Sequence, residues 1–87
     1  MGPDDAAGLS LTVYSRSHCH LCEEMIAGLH ELQARFTFKI EIVDIDSVSA
    51  LAARYGEDVP VLAHGERELC RHRLEAARVT AYLSSFR

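Results

Sequence analysis

Two thiols three positions apart, Cys19 and Cys22, lie in the segment Ser15-Arg16-Ser17-His18-Cys19-His20-Leu21-Cys22-Glu23-Glu24. This stretch follows an alternating apolar run and precedes an amphipathic one. A thiol at the start of a helix faces unpaired N–H groups and the positive end of the helix dipole, both of which favour the thiolate. A second thiol one turn on can attack a mixed disulfide formed at the first, so the pair can exchange disulfides. The same spacing can also hold a soft metal ion. Cys19, in the loop, is the expected nucleophile, and Cys22, inside the first helical turn, the expected resolving thiol. Arg16, His18 and His20 flank Cys19, and any positive charge among them would lower its pKa further.

The flanking pattern indicates what holds the pair. Leu9, Leu11 and Val13 alternate with Ser10, Thr12 and Tyr14, which predicts a strand. From Cys22, Met25, Ile26, Leu29, Leu32 and Phe36 recur at helical spacing over roughly four turns. Phe38, Ile40 and Ile42 alternate with Lys39, Glu41 and Val43 in a second strand ending at Asp44. Asp46 or Ser47 is then expected to cap a short helix with Val48, Leu51, Ala52 and Tyr55 on one face, ended by Gly56. Residues 61–63 and 68–70 predict two short strands around a turn at His64-Gly65-Glu66-Arg67. A last helix from about Leu74 should bury Val79, Tyr82, Leu83 and Phe86. The order is βαβαββα: a right-handed parallel unit, then a hairpin, then a closing helix. It is the order of a minimal thioredoxin fold, an α/β domain whose mixed four-stranded sheet carries helices on both faces. Residues 9–87 form this domain, and residues 1–8 a flexible tail.

The bulk properties restrict the function class. At 87 residues and 48% hydrophobic content, one small globular domain is expected. A net charge of −4 gives no attraction to nucleic acid or anionic membrane. No apolar run is long enough to span a bilayer, and the acidic start Met1-Gly-Pro-Asp-Asp lacks the features of a signal peptide. The expected location is the cytoplasm. Three cysteines cannot all pair within one chain, so a catalytic or metal-binding pair is expected rather than a disulfide framework. Cys70 reads as a small buried hydrophobe. Arg71-His72-Arg73 reads as a solvated basic turn, with carboxylate binding at the start of the last helix as the alternative.

With Cys19-His20-Leu21-Cys22 after the first strand and Asp58-Val59-Pro60 opening the third, the chain resembles the glutaredoxin-like branch of the thioredoxin superfamily. Tyr14-Ser-Arg-Ser-His-Cys-His-Leu-Cys-Glu-Glu is similar to small bacterial glutaredoxin-like proteins of poorly defined role. The resemblance covers nearly everything after Gly8 and implies a thiol–disulfide oxidoreductase for redox homeostasis. It also implies a cis peptide before Pro60, leaving the backbone of Val59 to pair with an extended substrate. Val59, Pro60, Arg16 and His20 are then the expected substrate contacts. The chain departs from the family between the cysteines, where His20 and Leu21 replace a proline and an aromatic. It departs again at Leu69-Cys70-Arg71-His72-Arg73, where the family has two glycines and acidic residues that hold glutathione. No dissociable cofactor is expected, and the resemblance does not carry glutathione over. The expected partner is a disulfide-containing protein or small thiol, met by a monomer.

Two other functions fit the same residues. Cys19 and Cys22 with one of His18, His20, His64 or Cys70 could hold zinc or an iron–sulfur cluster; no second CxxC is present to complete a usual zinc set. A redox-inactive adaptor could use the groove beside Pro60 alone. Metal carriers with an early CxxC end their fold in a strand, whereas this pattern ends in a helix, which favours redox chemistry.

Overall fold

Leu11 and Val13 are completely buried and Leu9 nearly so, because one side of the first strand faces a layer of helices. The computed structural model describes residues 9–86; the tail expected over residues 1–8 lies outside them. The chain runs through β1 (Ser10–Ser15), α1 (His20–Leu32), β2 (Lys39–Asp44), α2 (Ser49–Tyr55), β3 (Val61–His64), β4 (Arg67–Arg71) and α3 (Ala76–Ser84). Single 3-10 turns at Ile45–Ser47 and Gly56–Asp58 bracket α2.

The sheet order is β2-β1-β3-β4. β1 and β2 are parallel, with Ser10 opposite Lys39 and Ser15 opposite Asp44. β3 runs antiparallel to β1, and β4 antiparallel to β3. This is the expected mixed four-stranded sheet. Met25, Leu29 and Leu32 of α1 and Val79 and Leu83 of α3 meet Leu11, Val13 and Leu62 on one face. Tyr55 and Leu51 of α2 pack with Ile45, Val59 and Val61 on the other. Burying several leucine-sized side chains at ~2 kcal/mol each is the main force holding these layers.

Three details differ from the sequence pattern. α1 ends at Leu32, so Phe36 enters the core from the following turn rather than from a helix face, and Phe38 enters it from just before β2 rather than from within the strand. There the Gln33 amide donates to the Phe38 carbonyl at 2.8 Å, bridging the chain reversal. Secondly, neither Asp46 nor Ser47 caps α2. Val48 occupies the N-cap without a side-chain bond and is 47% exposed. Burial of Ile45 inserts the extra 3-10 turn, and Asp44 caps that turn by accepting the Asp46 N–H at 3.0 Å. Thirdly, Ile42 shares a face with half-buried Ile40 yet is 53% exposed. β2 is an edge strand of the sheet.

The β1–α1 loop, the end of β2, the turns around α2 and the end of β4 meet at one end of the sheet. That is where parallel pairing of β1 with β2 and antiparallel return of β4 must bring them.

Candidate active site

Cys19 is the N-cap of α1, in extended conformation, and its sulfur accepts the main-chain N–H of Cys22 at 3.2 Å. The two cysteines are disulfide-bonded with a Cα–Cα separation of 5.2 Å, a span ordinary for a disulfide. They differ in environment. Cys22 is 2% exposed and packs against Ile45, Tyr55, Val59 and Val61. Cys19 is only partly covered, at the edge of the same cluster. The residue before it, His18, is exposed with φ of 58°, and this reversal turns the chain from β1 into the helix start.

The Val59–Pro60 peptide is cis. Val59 shares the cluster with Cys22. Among the described residues its main-chain N–H and C=O have no hydrogen-bond partner. The next carbonyl, that of Pro60, accepts the His72 N–H at 2.7 Å. Val59 therefore offers one free donor and one free acceptor beside the cysteines.

The charged residues of the loops are largely committed to one another. Arg16 forks onto Asp46, with Nη2 at 2.7 Å and Nε at 3.2 Å, and donates to the Gly56 carbonyl at 3.1 Å. The guanidinium holds the Asp46 carboxyl below the usual range. A charge neutralised this way contributes little field at Cys19; Arg16 instead ties the β1–α1 loop to the turn before α2 through Asp46 and to the end of α2 through Gly56. Gly56, at φ of 39°, ends that helix with its carbonyl presented to Arg16. His20 is exposed at the start of α1, with Nε2 2.7 Å from Glu24. Arg71 meets Asp58 at 3.0 Å and forks onto Glu68 at 2.6 and 2.7 Å. His72 lies 3.5 Å from Asp58. The carboxylate near the basic turn Arg71-His72-Arg73 is thus the chain's own Asp58. Asp46 and Asp58 were not legible in the sequence as partners of Arg16 and Arg71, since each meets its arginine only through the fold; Glu68 meets Arg71 three residues along the same strand.

Cys70 is buried in β4 opposite Leu62, and burial pushes its thiol pKa up. It belongs to the core on the α1–α3 face, as its small apolar character implies. Tyr14 and Tyr55 stack with ring centres 4.5 Å apart on the opposite face, and burial raises the Tyr14 pKa. Beside the helix start, a cleft of about 250 Å³ lies between α1 and the β4–α3 loop, lined by Leu21, Glu24, Met25, His72, Arg73 and Leu74. Among the described residues, no group of three or more His, Cys, Asp or Glu side chains could hold a metal ion.

A mixed sheet of this order, with a CxxC opening its first helix and a cis-proline opening β3, defines a thioredoxin-like fold. The chain belongs to the glutaredoxin-like domain family (DUF836), whose model matches residues 10–84. Among solved structures it is similar to protein Ne2328 from Nitrosomonas europaea, at 45% identity and a TM-score of 0.79, covering 87% of this chain and 92% of that one. It is also similar to protein XcR50 from X. campestris, at 36% identity and a TM-score of 0.71, covering 86% and 96%. The germline-specific thioredoxin Deadhead from Drosophila melanogaster shares the fold at 19% identity and a TM-score of 0.58, covering 91% and 81%. No curated protein matches the chain. No helix among the described residues is long and apolar enough to cross a membrane.

Proposed function

We propose that the protein is a thiol–disulfide oxidoreductase in which Cys19 attacks and Cys22 resolves. The observation that carries the reading is the asymmetry of the pair. Cys19 is reachable and receives a helix N–H, while Cys22 is enclosed within a turn of it. The reduced Cys19 thiolate attacks one sulfur of a substrate disulfide, forming a Cys19–substrate disulfide and expelling the other sulfur as thiolate. Cys22 then loses its proton, attacks the Cys19 sulfur and closes the intramolecular disulfide, releasing the second substrate thiol. The substrate gains two electrons, and the cysteine pair supplies them. A substrate strand would dock by pairing its backbone with the free N–H and C=O of Val59, beside Pro60.

Protein disulfides or small disulfides are the proposed substrates, acted on by a monomer without a dissociable cofactor. The basic turn after β4 supplies none of the family's acidic residues, so glutathione is not proposed as the obligatory partner. The acidic net charge supports a reaction apart from nucleic acid and membranes. The bacterial sources of the two more similar structures support a bacterial cytoplasm as the setting.

The test is equilibration of the reduced protein with a glutathione redox buffer, followed by acid quench and mass analysis. The expected products are the Cys19–Cys22 disulfide in the wild type and a single adduct on Cys19 in Cys22→Ser. Absence of both in oxidising buffer would refute the assignment. Stoichiometric zinc or iron in anaerobically purified protein, lost in Cys19→Ser, would favour the metal-binding alternative.

A further inference from the structure

The segment that presents Val59 is held from β4 by both backbone and side chains. Arg71 stands opposite Val61 in the ladder, so its guanidinium lies one strand away from the start of β3. That guanidinium reaches back to the Asp58 carboxylate, the residue immediately before Val59. Its other edge donates two hydrogen bonds to the Glu68 carboxylate, which align the group. On the far side of Val59, the Pro60 carbonyl is bound by the His72 N–H. His72 adopts φ of 69° to deliver it, a conformation uncommon outside glycine. The Asp58–Arg71 and Pro60–His72 links therefore bracket Val59, whose backbone has no partner among the described residues. A docking edge is useful in proportion to how little its N–H and C=O directions wander, because ordering them on binding costs affinity.

We propose that Asp58 and Arg71 are positioning residues for substrate docking: their ion pair, aligned by Glu68, orients the free backbone of Val59 toward an incoming extended peptide disulfide. The inference rests on the oxidoreductase reading above. Neither residue touches the cysteines, and the thiol chemistry does not depend on them. The sequence run Arg71-His72-Arg73 thus acts on substrate through an internal carboxylate rather than by binding a substrate anion.

The experiment compares two probes in the presence of a small dithiol that re-reduces the Cys19–Cys22 disulfide after each turnover: insulin, whose disulfides lie in a peptide backbone, and hydroxyethyl disulfide, which has no backbone to pair. For Asp58→Asn and Arg71→Gln the KM for insulin should rise about threefold to fivefold, the scale of an exposed ion pair. The kcat for insulin and the rate with hydroxyethyl disulfide should stay within about twofold of wild type. Asp58→Glu, which keeps the charge, should recover part of the lost affinity. An unchanged insulin KM in both variants overturns the proposal. A parallel fall on both probes with a lowered melting temperature also overturns it, because that is the signature of a purely structural ion pair. If wild type reduces neither probe, the oxidoreductase reading fails first and the docking role with it.

Discussion

The main-chain N–H of Cys22 points at the Cys19 sulfur from 3.2 Å, within the first turn of α1. The bond is available in the reduced protein because this N–H, like others in the first helical turn, has no intrahelical acceptor. A thiolate accepts it more strongly than a thiol does, so it favours ionisation of Cys19. The effect can be isolated by comparing Cys22→Ser with Cys22→Pro. Both remove the resolving thiol, but only the second removes the donor, at a helix position where proline is tolerated. Alkylation rate against pH should give a Cys19 pKa below the ordinary ~8.5 in Cys22→Ser and one closer to that value in Cys22→Pro. Equal pKa values in the two variants would assign any lowering to other groups.

Cys70 should be chemically silent. Burial in β4 pushes its pKa up, which lowers both its thiolate population and its access to reagents. In native reduced protein, iodoacetamide at pH 8 should label Cys19 first and leave Cys70 unmodified until denaturant is added. Peptide mapping reads this directly. Rapid native labelling of Cys70 would show that β4 opens readily.

Acid should weaken the ion pairs that Arg16 and Arg71 make with Asp46 and Glu68. Arg16 holds Asp46, and Arg71 holds Glu68, below the usual carboxylate range. Because these folded-state pKa values are depressed, the unfolded chain binds more protons in the interval between the two states. The stabilisation is therefore complete above the unfolded carboxylate pKa, about 4, and is lost as pH falls through the folded values. Urea midpoints measured from pH 7 down to pH 3 should fall at the acid end. The fall should be shallower in Asp46→Asn than in wild type, and shallower still with 0.5 M salt present.

Gly28 marks a close approach between α1 and the loop before α3. A Cβ there would lie 2.5 Å from the Leu74 Cδ2, so the leucine would have to turn away. Alanine nonetheless gains about 1 kcal/mol of helix propensity over glycine. The two effects separate in a double-mutant cycle. In a Leu74→Ala background, Gly28→Ala should stabilise by about 1 kcal/mol in urea unfolding; with Leu74 present, most of that gain should vanish. Equal gains in both backgrounds would mean that Leu74 rearranges freely.

The local features were legible in the sequence because their signals are local. Alternation marked β1 and β2, helical spacing marked α1, and the short interval between Cys19 and Cys22 placed both thiols at one helix start. Their order restricted the sheet to a parallel unit plus a hairpin, and the observed sheet pairs β1 with β2 in parallel and β3 with β4 antiparallel. Local signals misjudged the places where burial overrode pattern. Ile45 inserted a turn before α2 and displaced the caps expected at Asp46 and Ser47. The edge position of β2 left Ile42 exposed despite its alternation.

The juxtaposition of the two sulfurs was thus evident from the chain alone, since spacing and helix propensity suffice to put them together. The disposition of charge around them was decided only by tertiary structure. Arg16 looked like a neighbour of Cys19, but Asp46, thirty residues on, takes its charge. Arg71 looked like part of a solvated basic turn, but Asp58 and Glu68 claim it. Charges pair across whatever distance the folded backbone makes short. In this fold, strand pairing brings the ends of β1, β2, α2 and β4 to the same end of the sheet.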